Sequence, residues 1–187
     1  IKNKNFRFIN FGKNNKADLK IKKIVNIKKI WQIELEYKNT LITTNVGLIG
    51  NFQVYNVLAA ASICLGLNMD EEFIFKSLSY LKTVPGRMQV VNGHPKKALI
   101  IIDYAHTPDA LKNAILSVRR NNNEGKIYTL FGCGGERDID KRSLMGKVSS
   151  KNSDFTIITD DNPRTEDPSK IRKQIIEACP NAIEIAG

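Results

Sequence analysis

The chain has 187 residues, of which 42% are hydrophobic, and its formal net charge at pH 7 is +10. This length and apolar content suffice for one or two globular cores and argue against a disordered chain. Its three cysteines are far apart and form no CxxC pair, so neither a disulfide framework nor a zinc site is indicated, and a reducing cytoplasm fits best. No apolar run approaches the roughly 20 residues that span a bilayer, so we expect no membrane insertion.

The positive charge is concentrated at the start of the chain. Residues 1–40 hold eleven lysine or arginine residues and three acidic ones, a local charge of +8. Clustered lysines such as Lys20, Lys22 and Lys23 could attract the phosphates of nucleic acid. Few aromatic side chains lie between these lysines to stack on bases. A solvated strand face also carries clustered lysines, because they discourage pairing with the edge of another sheet. We therefore predict a solvated strand face and no nucleic-acid partner, with a basic nucleic-acid-binding module as the alternative.

The first half of the chain changes from the period of strands to the period of helices. Apolar and polar residues alternate over residues 30–37, which predicts a half-buried strand. A turn at 38–39 follows, and residues 19–46 together predict a small antiparallel meander. From residue 51 to residue 66 apolar side chains recur at helical spacing, and Asp70 is placed to cap a second helix.

The second half alternates between strands and helices. A Val-Pro-Gly break at residues 84–86 separates two predicted domains, residues 1–84 and 85–187. Beyond the break, the strand runs 99–102, 127–131 and 155–159 are each followed by a helical pattern, which predicts an α/β domain with a mostly parallel sheet. The apolar run 99–102 predicts a strand that is covered on both faces.

Three unusual loops follow these strands. They read DYAHTP from Asp103, GCGGERD from Gly132 and DDNPR from Asp160. Ligands bind beyond the carboxyl ends of parallel strands, where loops and helix N-termini converge, so we expect the three loops to face one crevice.

The crevice has the residues to bind a ligand with both charges, such as an amino acid. The glycines of the second loop would let the backbone and its N–H groups approach a ligand. Arg137 and Arg164 could each clamp a carboxylate through two parallel hydrogen bonds, and Asp160 with Asp161 could hold an ammonium group.

Each signal also has a simpler interpretation. A GCGG run alone is often a strand-to-helix turn, and here it lacks the GxGxxG spacing of a dinucleotide site, so a dehydrogenase is not favoured. Arg164 could instead form a surface ion pair with Glu166 or Asp167, which would contribute little stability. His106 could be an ordinary loop or capping histidine. Only the convergence of three loops favours a binding site.

Four motifs occur in order along the second half of the chain. They are VPGRM from Val84, DYAHTPDAL from Asp103, FGCGGERD from Phe131 followed by Lys141-Arg142, and TDDNPRTE from Thr159. In order and spacing they resemble the Mur ligase family, in particular its members that add the third residue of the stem peptide. The resemblance implies that residues 1–84 are the end of a central ATP-binding domain. It also implies that residues 85–187 are a truncated Rossmann-like C-terminal domain.

The resemblance implies an ATP-dependent amide-bond ligase of cell-wall peptidoglycan synthesis, with ATP and Mg²⁺ as cofactors. Its substrates would be meso-2,6-diaminopimelate and UDP-N-acetylmuramoyl-L-alanyl-D-glutamate, and we expect a monomer. The sequence has no GxxxxGK[ST] phosphate loop, and both of its ends read as cut. We therefore expect this piece alone to be inactive. A lysine-adding or a folylpolyglutamate-type ligase is the alternative within the family.

The resemblance also assigns nucleotide-site residues. Asn56 would contact the adenine, Arg87 would reach the phosphates, and Asp103 with His106 would line the cleft. Gln53 stands where the family motif has asparagine, which is a departure on that side of the site.

For the amino-acid substrate the resemblance assigns Arg137, Asp161, Asn162, Pro163 and Arg164 to meso-diaminopimelate. The arginine after the proline would grip the distal carboxylate, and lysine-adding relatives lack it. A second carboxylate is what separates this diacid from lysine, so a fixed cation there can select it. No catalytic residue and no metal ligand are predicted within the chain.

Overall fold

The computed structural model describes residues 8–27, 30–121 and 124–187. The chain divides into two compact units, Ile1–Gln89 and Val90–Gly187, and each unit has a hydrophobic core of its own. Within the described residues, no helix has both the length and the apolar character needed to cross a bilayer.

The first unit is built on a four-stranded sheet. Its strands, in spatial order, are β1 (Phe11–Gly12), β2 (Leu19–Ile27), β3 (Ile30–Tyr37) and β4 (Thr40–Val46). β2, β3 and β4 are antiparallel neighbours, so the predicted meander over residues 19–46 is confirmed. Lys38 and Asn39 form the predicted turn with φ angles of 47° and 63°, the left-handed conformation that suits a tight hairpin.

Two helices complete the first unit. They are α1 (Phe52–Gly66) and α2 (Glu71–Ser77), and a short 3-10 turn, Leu78–Tyr80, follows α2. Asp70 caps α2 as predicted, because its side chain accepts a hydrogen bond of 2.7 Å from the Phe73 N–H. Leu35 of β3 and Leu58 of α1 are fully buried in the same core.

The lysines of β2 share a carboxylate with the neighbouring strand. Lys20 lies opposite Glu36, and a register irregularity between Ile21 and Lys23 follows it. The Glu36 carboxylate lies 2.5 Å from Lys20 Nζ and 3.1 Å from Lys22 Nζ. The hydrogen bonds from these two lysines lower the pKa of Glu36 below its ordinary value. Part of the positive charge of this strand is therefore compensated within the sheet.

The second unit is an α/β arrangement. Its helices are α3 (Pro108–Asn121), α4 (Asp140–Asn152) and α5 (Pro168–Ile176). Its strands are β5 (Gln89–Val91), β6 (Ile100–Ile102), β7 (Tyr128–Phe131), β8 (Phe155–Ile158) and β9 (Ile183–Glu184). β7, β8 and β9 form a parallel sheet, as predicted. Thr107 and Asp167 cap the starts of α3 and α5, since each side chain accepts a hydrogen bond from a backbone N–H.

The expectation for residues 99–102 is wrong. β6 pairs with β5 in a separate two-stranded sheet and is not part of the β7-β8-β9 sheet. Leu99, Ile100 and Ile102 are 42%, 39% and 49% exposed. A strand is buried on both faces only where helices pack on both faces of its sheet, and in the described structure β6 lacks that cover.

Leucines on adjacent strands of the first unit offer a test of the sheet's inner face. Leu35 is fully buried on β3, whereas Leu41 on β4 is 62% exposed. Leu35→Ala should lower the free energy of unfolding by about 2–5 kcal/mol through lost burial and the cavity left behind. Leu41→Ala, the same chemical change, should stay within about 0.5 kcal/mol of the unsubstituted chain. Urea unfolding of both variants measures this, and equal losses would show that the sheet faces are assigned wrongly.

Candidate functional site

The loops after β7 and β8 lie against each other. We call residues 132–139 the β7 loop and residues 159–167 the β8 loop. Both leave the same edge of the sheet because β7 and β8 are parallel neighbours, with Phe131 in register with Ile158. The Gly135 N–H donates a 3.0 Å hydrogen bond to the Asn162 carbonyl oxygen. The predicted convergence of these two loops is confirmed.

Two glycines make this approach possible. A β-carbon at Gly135 would lie 1.9 Å from the Pro163 carbonyl oxygen, and one at Gly132 would lie 2.5 Å from the Thr159 carbonyl oxygen. No side chain could occupy either position without moving backbone. The expectation that the glycines present N–H groups to a ligand is therefore wrong for Gly135, whose N–H bonds the β8 loop instead.

A buried ion pair joins α4 to the β8 loop. The Arg142 side chain is 1% exposed, and its two terminal nitrogens each lie 2.9 Å from one oxygen of Glu166. Arg142 also donates to the Gln174 side-chain oxygen at 2.8 Å and to the Gly134 carbonyl at 3.3 Å. Such paired, charge-assisted hydrogen bonds are among the strong ones in proteins. Both residues belong to the sequence motifs, but their pairing was not predicted.

The charge state of Glu166 follows from these contacts. The hydrogen bonds from Arg142, and next the Glu136 backbone N–H, lower the pKa of Glu166 from 4.5 to about 2. The same pair raises the pKa of Arg142, chiefly through its hydrogen bond to Glu166. Both groups are therefore charged at neutral pH.

The two predicted carboxylate-binding arginines flank the same glycine. A β-carbon at Gly134 would meet Arg164 Nη1 at 3.0 Å and Arg137 Cγ at 4.0 Å. Arg164 Nη1 donates to the Gly135 carbonyl, which leaves its other N–H groups for a ligand. Arg137 is exposed and has no hydrogen-bond or ion-pair partner among the described residues. The structure thus brings the Arg164 guanidinium and the aliphatic part of the Arg137 side chain to the same glycine.

The alternative ion pair for Arg164 is wrong. Glu166 is bound to Arg142, and Asp167 accepts hydrogen bonds from the Ser169 N–H and hydroxyl at the start of α5. Arg164 instead adopts a left-handed backbone conformation, with φ of 53°, and reaches across to the β7 loop.

The acidic residues of the β8 loop divide into two roles. Asp160 pairs with Arg172 and accepts a 2.9 Å hydrogen bond from the Gly187 N–H, and these contacts, the Gly187 bond first, lower its pKa. The expectation that Asp160 holds a ligand ammonium group is therefore wrong, because protein groups already occupy its carboxylate. Asp161 is exposed and makes one 2.9 Å bond to the N–H of Asn162, so its carboxylate remains accessible. Pro163 is half-buried.

The loop after β6 is held next to α4 by a side chain. Since β6 lies outside the β7-β8-β9 sheet, the expectation that the sheet edge gathers all three loops is wrong for this one. Lys141 Nζ instead donates a 3.2 Å hydrogen bond to the His106 carbonyl. The His106 ring is exposed, its Nδ1 is 3.1 Å from the Tyr104 carbonyl, and Asp103 is half-buried.

In the first unit, Gln53 connects two of the predicted nucleotide-site residues. Its side-chain oxygen accepts a 2.9 Å hydrogen bond from Asn56 Nδ2, and its Nε2 donates to the Arg87 carbonyl at 3.3 Å. Gln53 is buried, whereas the Asn56 and Arg87 side chains are exposed. Gln53, which departs from the family motif, therefore makes two structural contacts that were not predicted from the sequence.

The described residues do not by themselves build a metal site. Nowhere in residues 8–27, 30–121 and 124–187 do three or more histidine, cysteine, aspartate or glutamate side chains cluster so as to hold a metal ion. The sequence has no phosphate loop either, so the described residues do not by themselves form a complete site for Mg²⁺ and the ATP phosphates.

The second unit is a parallel α/β arrangement in which the loops of adjacent strands meet at the edge where such folds bind their ligands. Residues 86–186 match the family described as Mur ligase, glutamate ligase domain, and residues 1–64 match the Mur ligase middle domain. The chain belongs to the Mur ligase family.

Similar proteins extend this finding. The chain is 41% identical to a UDP-N-acetylmuramoyl-L-alanyl-D-glutamate–2,6-diaminopimelate ligase of Rickettsia typhi, over 97% of the chain and 36% of the relative. A solved structure of a ligase with the same name is 31% identical to this chain and has a TM-score of 0.54. The match covers 92% of this chain and 36% of the chain in that structure. The structure of UDP-N-acetylmuramate-alanine ligase from Thermotoga maritima shares the fold, with a TM-score of 0.74 at 18% identity. That match covers 96% of this chain and 39% of the chain in that structure. The chain spans about a third of the length of the curated relatives it matches.

A substitution at Gly135 should separate the two loops. In Gly135→Ala the new β-carbon would overlap the Pro163 carbonyl, so the backbone must shift, and overpacking of this kind costs about 1–3 kcal/mol. Gly47→Ala is the control, because nothing lies within 4 Å of its β-carbon position. Denaturant unfolding compares the two, and a Gly135→Ala chain as stable as the control would contradict the loop geometry.

The Arg142–Glu166 pair predicts a pH dependence. Because the folded-state pKa of Glu166 is depressed from 4.5 to about 2, its contribution to stability is present above pH 4.5 and is lost as the pH falls through about 2. Glu166→Gln should therefore be less stable than the unsubstituted chain at neutral pH, and the difference should shrink between those two values. Unfolding free energies measured across this range test it, since all other acids titrate in both chains. If the difference in unfolding free energy between the two chains does not change with pH, the ion pair is excluded as its source.

Proposed function

We propose that this chain carries the amino-acid-binding part of an ATP-dependent ligase that joins meso-2,6-diaminopimelate to UDP-N-acetylmuramoyl-L-alanyl-D-glutamate. The single observation that carries the proposal is the approach of both Arg164 Nη1 and Arg137 Cγ to Gly134, within 3.0 and 4.0 Å of where its β-carbon would be. The relatives that share the greater part of this chain are named for that reaction, and they support it.

The charges of the site suit a diamino diacid. Meso-diaminopimelate has a carboxylate and an ammonium group at each end, whereas lysine has only one carboxylate. Two guanidinium groups close together can bind two carboxylates, or hold one firmly from two sides. Arg164 would grip the distal carboxylate, Arg137 a carboxylate of the same ligand, and Asp161 an ammonium group. Asn162 and Pro163 would shape the wall between them.

The role of these residues is to bind and orient the amine. Amide formation needs one amino group of the diacid, in its neutral form, aimed at an activated carboxyl group of the acceptor. Fixing the distal end of the ligand through its carboxylate restricts which amine can reach the acceptor, and such orientation lowers the entropic part of the barrier. ATP with Mg²⁺ would supply the free energy of amide formation.

Four residues are proposed for the nucleotide side. Asn56 would face the adenine and Arg87 the phosphates, and the Gln53 contacts described above support a common location for these two. Asp103 and His106 of the second unit would also contribute to nucleotide binding. With no phosphate loop in the sequence, we propose that this chain alone does not catalyse the reaction.

The remaining partners follow from this assignment. We propose a cytoplasmic monomer that acts on small molecules and does not bind nucleic acid. The three cysteines are free, as expected in a reducing compartment. The sharing of Glu36 by Lys20 and Lys22 weighs against a continuous anion-binding face on β2.

Calorimetric titration tests the substrate assignment. The 187-residue chain should bind meso-diaminopimelate more tightly than L-lysine, because only the diacid has a second carboxylate. Arg164→Ala should weaken binding of the diacid by about tenfold to a hundredfold, the effect of a lost charged hydrogen bond, and change lysine binding much less. Arg120→Ala, an exposed arginine at the end of α3, is the matched control. Equal affinity for both amino acids in the unsubstituted chain would sink the proposal.

A further inference from the structure

We propose that Arg142 and Glu166 are positioning residues for the two-arginine site. Their ion pair holds the β7 and β8 loops in the arrangement in which Arg137 and Arg164 flank Gly134, and it thereby sets the preference for a diacid. The inference rests on the proposed function, since it gives the pair a part in carboxylate recognition.

The pair touches both loops at the residues next to the two arginines. Glu166 belongs to the β8 loop, two residues after Arg164, and its Oε1 accepts a hydrogen bond from the Glu136 N–H at 2.5 Å. Glu136 immediately precedes Arg137 in the β7 loop. Arg142 adds a 3.3 Å bond to the Gly134 carbonyl, on the other side of Gly135. The backbone beside Arg137 is therefore bound to both members of the pair, and one member, Glu166, lies two residues after Arg164 in the β8 loop.

The local backbone would not adopt this arrangement by itself. Glu136 and Arg164 have φ angles of 52° and 53°, in the left-handed region that side chains with a β-carbon rarely occupy. Residues in such conformations persist where the surrounding structure imposes them, and they cluster at ligand-binding sites. The Glu136 carboxylate also accepts a hydrogen bond from the Thr165 hydroxyl, so the two strained segments are bound to each other. Contacts between the loops, with Glu166 at their centre, thus hold both arginines in position.

The pair itself does not reach a ligand. Arg142 is 1% exposed, and its terminal nitrogens are already bound to Glu166, Gln174 and Gly134. A buried ion pair contributes little net stability compared with apolar residues of the same size, and fixing one geometry is the better-supported reason to retain one. Arg142 therefore acts on substrate only through the arginines that it positions, and both oxygens of Glu166 are occupied by protein donors.

Titration of Glu166→Gln with two ligands tests the inference. This near-isosteric change removes the charge but keeps an acceptor for the Glu136 N–H. We expect the affinity for meso-diaminopimelate to fall by about tenfold, as for a small misplacement of binding groups, while the affinity for L-lysine falls much less. The ratio of the two affinities should therefore move toward one. Glu177→Gln is the matched control, because Glu177 is exposed and has no partner among the described residues.

The ratio separates positioning from simple destabilisation. A fold that is merely less stable would lose affinity for both ligands equally, so an equal loss, or no loss, overturns the inference. Arg142→Lys keeps the buried charge but cannot form the paired hydrogen bonds, and it should shift the ratio in the same direction by a smaller factor. If Glu166→Gln unfolds at the titration temperature, the Arg142→Lys variant is the test. An unchanged ratio of the two affinities in that variant would then overturn the inference. If the unsubstituted chain shows no preference for the diacid, the proposed function fails first, and this inference fails with it.

Discussion

The buried ion pair between Arg142 and Glu166 is the interaction on which the binding edge of the second unit depends. It connects the first turn of α4, the β8 loop and, through Gly134 and Glu136, the β7 loop. A charged pair can do this where apolar packing cannot, because its hydrogen bonds have direction. The two loops are thereby given one geometry.

Around that pair the remaining features of the site support one another. Gly135 and Gly132 remove the β-carbons that would keep the loops apart, and Arg164 closes the contact from the other side by bonding the Gly135 carbonyl. Asp160 is bound to Arg172 and to the Gly187 N–H, whereas the Asp161 carboxylate is exposed. The proposed recognition of a diamino diacid depends on Arg137, Arg164 and Asp161 at this edge.

Much of the fold could be predicted because its signals are local. The alternation over residues 30–37 and the helical spacing after residue 51 each report a face that is buried within one element. Residues 99–102 show the limit of that reasoning. Their apolar run is the same whether helices cover both faces of the strand or not, and in the structure β6 pairs only with β5 within the described residues.

By itself the sequence determined the strand and helix pattern, the family motifs, and the candidate residues from Arg137 to Arg164. Only the tertiary structure decided how those residues are used: that Glu166 pairs with Arg142, that Asp160 belongs to Arg172, and that Gln53 binds both Asn56 and the Arg87 backbone. The physical reason is that periodicity depends on neighbours a few positions away. The partner of a polar side chain depends instead on which loops meet. Arg172 lies 12 residues from Asp160, Glu166 lies 24 from Arg142, and the Arg87 carbonyl lies 34 from Gln53.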